Sequence, residues 1–224
     1  MIIAEQKPLE EIKGMIAAAD KVLVLGCGTC VTVCFAGGEK EVSILASQLR
    51  MTTRMAGQDK EIRECTVQRQ CEPEYNEVAA EQIHDADLVL SLACGIGVQT
   101  MNEQFPDKLT VPGLNTTFLG QPTEQGIWVE RCQACGNCIL ELTAGLCPIA
   151  RCAKSLLNGP CGGSQRGICE VYTDRQTPCI WHEIYERAQA LGRLDRLMDI
   201  QEPKNWHTSR DGGQRKIVRE DLRL

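Results

Sequence analysis

Large aromatic rings are scarce in this sequence: three Phe, three Trp and three Tyr among 224 residues. A core short of rings needs another source of cohesion, and bound metal is one. Histidine is as scarce, with only His84, His182 and His207. None of these sits in a metalloprotease or triad pattern, and His182, after Trp181 at a helix start, reads as structural. No apolar run approaches the roughly twenty residues that cross a bilayer. The opening MIIAEQKPLEEIKGMIAAAD carries acids early and lacks a long apolar stretch, so it predicts no secretory signal. Basic character is missing too. The net charge is −6, which argues against a nucleic-acid surface. The one basic bias, through Lys204, Arg210, Arg215, Lys216, Arg219 and Arg223, is interspersed with acids and reads as a solvated tail.

What the chain has instead is cysteine, fourteen of them. Together with the absent leader, this predicts a cytoplasmic protein. In that compartment disulfides are rare and clustered cysteines usually bind metal. A disulfide scaffold of this length runs against the short, secreted character of such folds.

Periodicity divides the chain in three. Residues 1–120 read as a small α/β, Rossmann-like domain. Leu9, Ile12, Met15, Ile16 and Ala19 fall at helical spacing. Lys21-VLVLG and Asp87-LVLSLA are short apolar runs of the kind buried in parallel sheets. Residues 38–50 and 74–84 return to helical spacing, and 61–68 and 108–112 complete a four-strand expectation. Strands alternating with helices imply βαβ units and a parallel sheet. Residues 121–127, QPTEQGI, read as a linker. Residues 121–198 then form a cysteine-rich, ferredoxin-like module closed by an amphipathic helix over 181–198. Residues 199–224 read as an extended tail that orders on a partner.

The strongest chemical signal is Cys132-QA-Cys135-GN-Cys138, followed by Cys147-Pro148. Two-residue spacers turn three thiolates onto corners of one [4Fe–4S] cube, and C-x2-C-x2-C is a hallmark of that cluster. Eight residues separate Cys138 from Cys147, where bacterial ferredoxins have three, so the logic is ferredoxin-like and the length is not. Cys152, Cys161, Cys169 and Cys179 bring the module to eight cysteines, enough for two four-thiolate sites. In ferredoxins the cysteine before proline serves the other cluster. On that rule Cys132, Cys135, Cys138 and Cys179 form one set, and Cys147, Cys152, Cys161 and Cys169 the second. Structural zinc is the alternative, more so for the second set.

The first domain has its own constellation. Cys27, Cys30 and Cys34 follow the first apolar strand, Cys94 follows the third, and Cys71 follows the second strand region. Ligands of open α/β sheets bind beyond the carboxyl ends of strands, so a third metal site is expected at Cys27, Cys30, Cys34 and Cys94. Cys71 is its reserve ligand, and Cys65 is a free thiol. The glycines Gly26, Gly28, Gly95 and Gly97 leave open a flavin (FMN or FAD) whose phosphate sits on a strand-to-helix loop. The dinucleotide fingerprint fails, because Val31 stands where its third glycine belongs. Buried, structural cysteines are the plain alternative.

Arg131-CQACGNCILELTAGLCPIARCAKSLLNGPCGGSQRGICEV with Cys179-IWHEIYERA, and above all Asn158-GPCGG with Leu146-CP, resembles the methylenetetrahydrofolate reductase C-terminal domain family. VLVLGCGTCVTVC, RQCEPE and LVLSLACGIGVQ resemble the small, MetV-type subunit of two-subunit methylenetetrahydrofolate reductases of acetogenic and other anaerobic bacteria. The resemblance implies an iron–sulfur electron-transfer subunit of one-carbon metabolism that is not itself catalytic, with two [4Fe–4S] clusters on the matching cysteines. It implies a flavin-containing TIM-barrel partner that reduces methylenetetrahydrofolate, with room for further electron-transfer subunits. This chain is too short to add a barrel of about 250 residues. A structural zinc-binding adaptor and a flavin-binding oxidoreductase domain are the rival readings.

Overall fold

The computed structural model describes residues 1–172, 174, 176–209 and 213–223. Arg210, one of the basic residues of the tail, lies outside them. The chain forms two compact units, Met1–Trp128 and Val129–Leu224.

In the first unit the order is β1 (Ile2–Gln6), α1 (Leu9–Met15), β2 (Lys21–Cys27), α2 (Cys30–Val33), α3 (Glu39–Met55) and β3 (Glu61–Val67). It continues with α4 (Pro73–Asn76), a 3-10 turn (Glu77–Ala79), α5 (Ala80–Asp85), β4 (Leu88–Leu92), α6 (Gly95–Gln104), β5 (Leu109–Pro112) and β6 (Leu114–Glu124). Strands β3-β2-β4-β5 make a parallel sheet, in that spatial order. Both faces are covered, which is why β2 and β4 read as unbroken apolar runs. Val22 and Val24 join Ile12, Ile16, Val42, Leu45 and Leu49 in one core layer. Leu23 and Leu25 join Ile83, Met101 and Phe105 in the other. The α/β expectation and its parallel sheet hold.

Three expectations give way. A second sheet, antiparallel in order β1-β6-β7, stands beside the first; β1 pairs with β6 from Ile2↔Leu119 to Gln6↔Leu114. Residues 121–127, expected as a linker, are the end of β6 and the turn into β7 (Ile127–Cys132). The boundary between units therefore falls inside a strand. The helix expected over 74–84 is broken by the 3-10 turn. Buried Asn76 gives its amide to the Gln70 carbonyl (3.1 Å) and to the Gln104 side chain (2.9 Å). Tertiary bonds thus fix this segment.

Gln70 is the polar hub of the unit and is 0% exposed. Its Nε2 donates to the Leu25 and Gly26 carbonyls at 2.9 and 3.0 Å, and its Oε1 accepts from Ser91 Oγ at 2.7 Å. One amide thereby ties the segment after β3 to the carboxyl ends of β2 and β4. Gln70→Leu removes all three bonds. It is expected to lower stability by about 2–4 kcal/mol, read as the urea midpoint of the first unit; an unchanged midpoint would show the hub to be dispensable.

The second unit is sparse. It holds α7 (Pro148–Arg151), α8 (Ile180–Ala190) and 3-10 turns at Leu194–Met198, Trp206–Thr208 and Glu220–Leu222. Its apolar core is one small cluster of Cys179, Ile180, Trp181 and Ile184, with Leu146, Leu156 and Leu197 against it. The helix expected to run to 198 ends at Ala190, just before Gly192. The tail does not stand away from the chain either. Lys204, Thr208 and Arg215 reach back to the first cysteine loop, as described below. Among the described residues no helix is long and apolar enough to cross a membrane.

Candidate metal centre

All fourteen cysteines are free thiols. Among the described residues, no three Cys, His, Asp or Glu side chains already stand close enough to hold a metal ion. Shared loops, cavities and strand ends bring them into groups.

The first group is the Cys132–Cys138 loop. Ala134 at φ +50° and Gly136 at φ +82° alternate with the cysteines and fold the loop on itself. The Ala134 amide donates to Cys132 Sγ at 3.3 Å. Cys147 caps α7 in the same manner, its sulfur accepting from the Ala150 amide at 3.5 Å, with Pro148 in the first turn. Cys132 and Cys138 are exposed; Cys135 and Cys147 are partly so.

Three carbonyls of the loop are held by the tail. Thr208 Oγ1 donates to the Cys135 carbonyl at 2.9 Å, Lys204 Nζ to that of Asn137 at 3.0 Å, and Arg215 Nη1 to that of Ala134 at 2.7 Å. These residues form a clamp that sequence reading missed. Their partners lie about 70 residues upstream, and no periodic signal links the two stretches.

The second group lines one small cavity. Cys152, Cys161, Cys169 and Cys179 all face it, with Arg151, Lys154, Glu170 and Trp181. The expected pairing put Cys179 with the Cys132–Cys138 loop and Cys147 in the second set. Cys179, at the start of α8, lines this cavity with Cys152, Cys161 and Cys169. Cys161 Sγ donates to Glu170 Oε1 at 3.1 Å, and Lys154 pairs with the same carboxylate. Lys154 first, then Cys161, holds Glu170 below the usual carboxylate range. Arg151 pairs with Glu183 at 2.5 Å. His182 sits on α8 against Glu186 at 3.2 Å, in an ion-pair position.

In the first unit the expected set divides. Cys34 is buried, and its thiol points to the Ala4 and Val31 carbonyls, each at 3.6 Å. Burial pushes that thiol up, so Cys34 behaves as a small core residue with a weak donor. Cys30, in the single turn of α2, is half-buried. Cys27 and Cys94 are 6% and 8% exposed, one at the end of β2 and the other just past β4. Cys65 packs against the second core layer. Cys71 is exposed; its thiol is pushed up by burial of the sulfur first, and then by Cys27 and Cys94.

The glycines have packing work. A Cβ on Gly26 would stand 2.6 Å from both Thr66 Oγ1 and Val42 Cγ2, and one on Gly97 would stand 2.7 Å from Ala93 Cβ. Gly95 gives its amide to Thr116 Oγ1 at 2.8 Å, which takes one donor from any phosphate there. Gly28 meets only ordinary contacts.

Residues 111–207 match the sequence model of the family described as methylene-tetrahydrofolate reductase C terminal, a stretch of less than half the chain. It contains all eight cysteines of the second unit. No curated protein and no solved structure matches the chain.

Proposed function

We propose that this chain is an iron–sulfur electron-transfer subunit of a methylenetetrahydrofolate reductase complex, docked on a flavin-bearing TIM-barrel subunit that carries out the reduction. The observation that supports it most is the coincidence of the family match with two groups of thiols in the second unit. One group is a C-x2-C-x2-C loop with an amide aimed at its first sulfur; the other is four cysteines on one cavity.

The residues divide by role. Cys132, Cys135 and Cys138 hold the first centre. With Cys179 on the second cavity, Cys147 is left as their fourth ligand. Cys152, Cys161, Cys169 and Cys179 hold the second. Clusters bound there supply one-electron transfer at potentials set by burial and by hydrogen bonds to sulfur. The Ala134 and Ala150 amides meet that second requirement at Cys132 and Cys147. Lys154 and Arg151 stand beside the second thiol set, each paired with a carboxylate, Glu170 and Glu183. The Thr208 and Arg215 clamp fixes the shape of the first loop.

One observation favours a single zinc ion in the second set. That cavity is small, about 20 Å³, roughly the room of one water centre. A cubane must push its walls apart, whereas a tetrahedral ion bound by four thiolates needs less room. Anaerobic analysis of the purified chain separates the two. About eight iron and eight sulfide per chain, at about four per cubane, support two clusters. About four iron and four sulfide, with a zinc that is lost in Cys161→Ser, place zinc in the cavity. Zinc without sulfide overturns the electron-transfer role and leaves a structural adaptor.

A further inference from the structure

We propose that Cys27, Cys71 and Cys94 form a three-thiolate site for a single thiophilic divalent cation of the zinc type, with the fourth position open to solvent, at the carboxyl edge of the parallel sheet. The site lies in the first unit and is independent of the two centres above.

Topology makes the place. From β2 the chain steps to β3 on one side, then crosses to β4 on the other. Ligands of open α/β sheets bind outside the carboxyl ends of strands where the order reverses in this way. Cys27 is the last residue of β2. Gly26 is in register with Leu92 at the end of β4, and Cys94 follows two residues on. Cys71 would be free to wander on its loop were it not for Gln70. That buried amide anchors the preceding residue to the Leu25 and Gly26 carbonyls and to Ser91. Three strand ends are therefore locked together, each carrying one cysteine.

Exposure separates Cys71 from the structural cysteines, while Cys27 and Cys94, at 6% and 8% exposed, are as buried as Cys34 and differ from it in standing at the strand ends. Cys34 shows the structural kind: buried, with its thiol spent on carbonyls. Cys71 is exposed, so packing does not account for it. Gln70, next to it in the chain, is bonded to the Leu25 and Gly26 carbonyls of β2 and to Ser91 of β4, the strands whose ends carry Cys27 and Cys94. The three sulfurs are not yet at ligand distance.

The surroundings select the ligand. Gly97 and Gln70 are close-packed; a Cβ on Gly97 would lie 2.9 Å from Gln70 Cβ. Loops this close suit one ion better than a cube of eight atoms or a flavin. The Gly95 amide, committed to Thr116, is withdrawn from phosphate. Three thiolates and one exchangeable ligand complete the tetrahedron that zinc prefers.

The test uses the full chain, purified anaerobically, with zinc, iron and sulfide counted and cobalt(II) substituted as a spectroscopic probe. Cys71→Ser is expected to lose about one zinc per chain, with iron and sulfide unchanged, and to lose the thiolate-to-cobalt charge-transfer intensity of that one site. Cys71→Ala should do the same, and neither should move the urea midpoint of the metal-free chain, because Cys71 is exposed. Cys34→Ser should keep its zinc. Full zinc in both Cys71 variants would overturn the site, as would equal loss in Cys34→Ser. Loss of about four iron with sulfide in Cys71→Ser would overturn the single-ion assignment.

Discussion

Stripping metal from the full chain is expected to open residues 131–181 to protease while residues 1–128 survive as a resistant core. The two units differ in what holds them. The first has two apolar layers on a covered parallel sheet. The second has one small apolar cluster at the start of α8 and a long stretch of turns between β7 and that helix. Ordering a residue costs about 1–2 kcal/mol in backbone entropy, and so small a core does not offset that cost over some 50 residues. Metal–thiolate binding adds of order 10 kcal/mol per structural site near neutral pH, as much as the whole net stability of an ordinary domain. Limited proteolysis of chelated protein with mass mapping reads the outcome directly. Trp181 gives a second readout, since it is 6% exposed and donates to the Leu156 carbonyl at 3.1 Å. Its emission should move to the red as the segment opens. An uncut 131–181 segment after complete metal loss would mean that the turns hold by themselves.

The parallel sheet was legible because its strands are buried on both faces, and β2 and β4 announce themselves as apolar runs. The cysteine at each carboxyl end followed from that topology. Which cysteines meet there did not. Cys30 and Cys34 stand close to Cys27 in sequence, yet α2 lasts one turn and sends Cys34 back towards Ala4 of β1. That strand is five residues long and finds its partner more than 100 residues away, a pairing no local pattern reveals. Cys71 looked secondary because the tie that brings it over the sheet is a single buried glutamine. In the second unit the eight cysteines were legible from counting, while the place of Cys179 beside Cys152, Cys161 and Cys169 on one cavity depends on where α8 starts. The tail misled for a related reason. Its polar composition suits a solvated or partner-bound segment, and its hydrogen bonds go to backbone carbonyls, which leave no mark in sequence.

Gly136→Ala is expected to cost the chain its first centre, and the reason lies in that tail. Gly136 sits between Cys135 and Cys138 at φ +82°, where an L-residue pays about 1–2 kcal/mol. Gly145, at φ +84° with nothing within 4 Å of an added Cβ, bears that strain alone when changed to alanine. At Gly136 the added Cβ would also overlap the Thr208 carbonyl. That carbonyl accepts from Arg215 at 2.9 Å, and the Thr208 hydroxyl donates to the Cys135 carbonyl. Pushing Thr208 away therefore breaks the clamp on all sides, at about 0.5–1.5 kcal/mol per bond. Gly145→Ala should lower the unfolding midpoint slightly and keep its full iron content. Gly136→Ala should lose about four iron and four sulfide per chain, the content of one cubane. Deleting residues 199–224 should have the same effect on iron, because it removes Lys204, Thr208 and Arg215 together. Equal iron in Gly136→Ala and Gly145→Ala would reduce the clamp to surface decoration. Full iron in the deletion, with loss only of binding to a barrel subunit, would return the tail to the role of a docking segment.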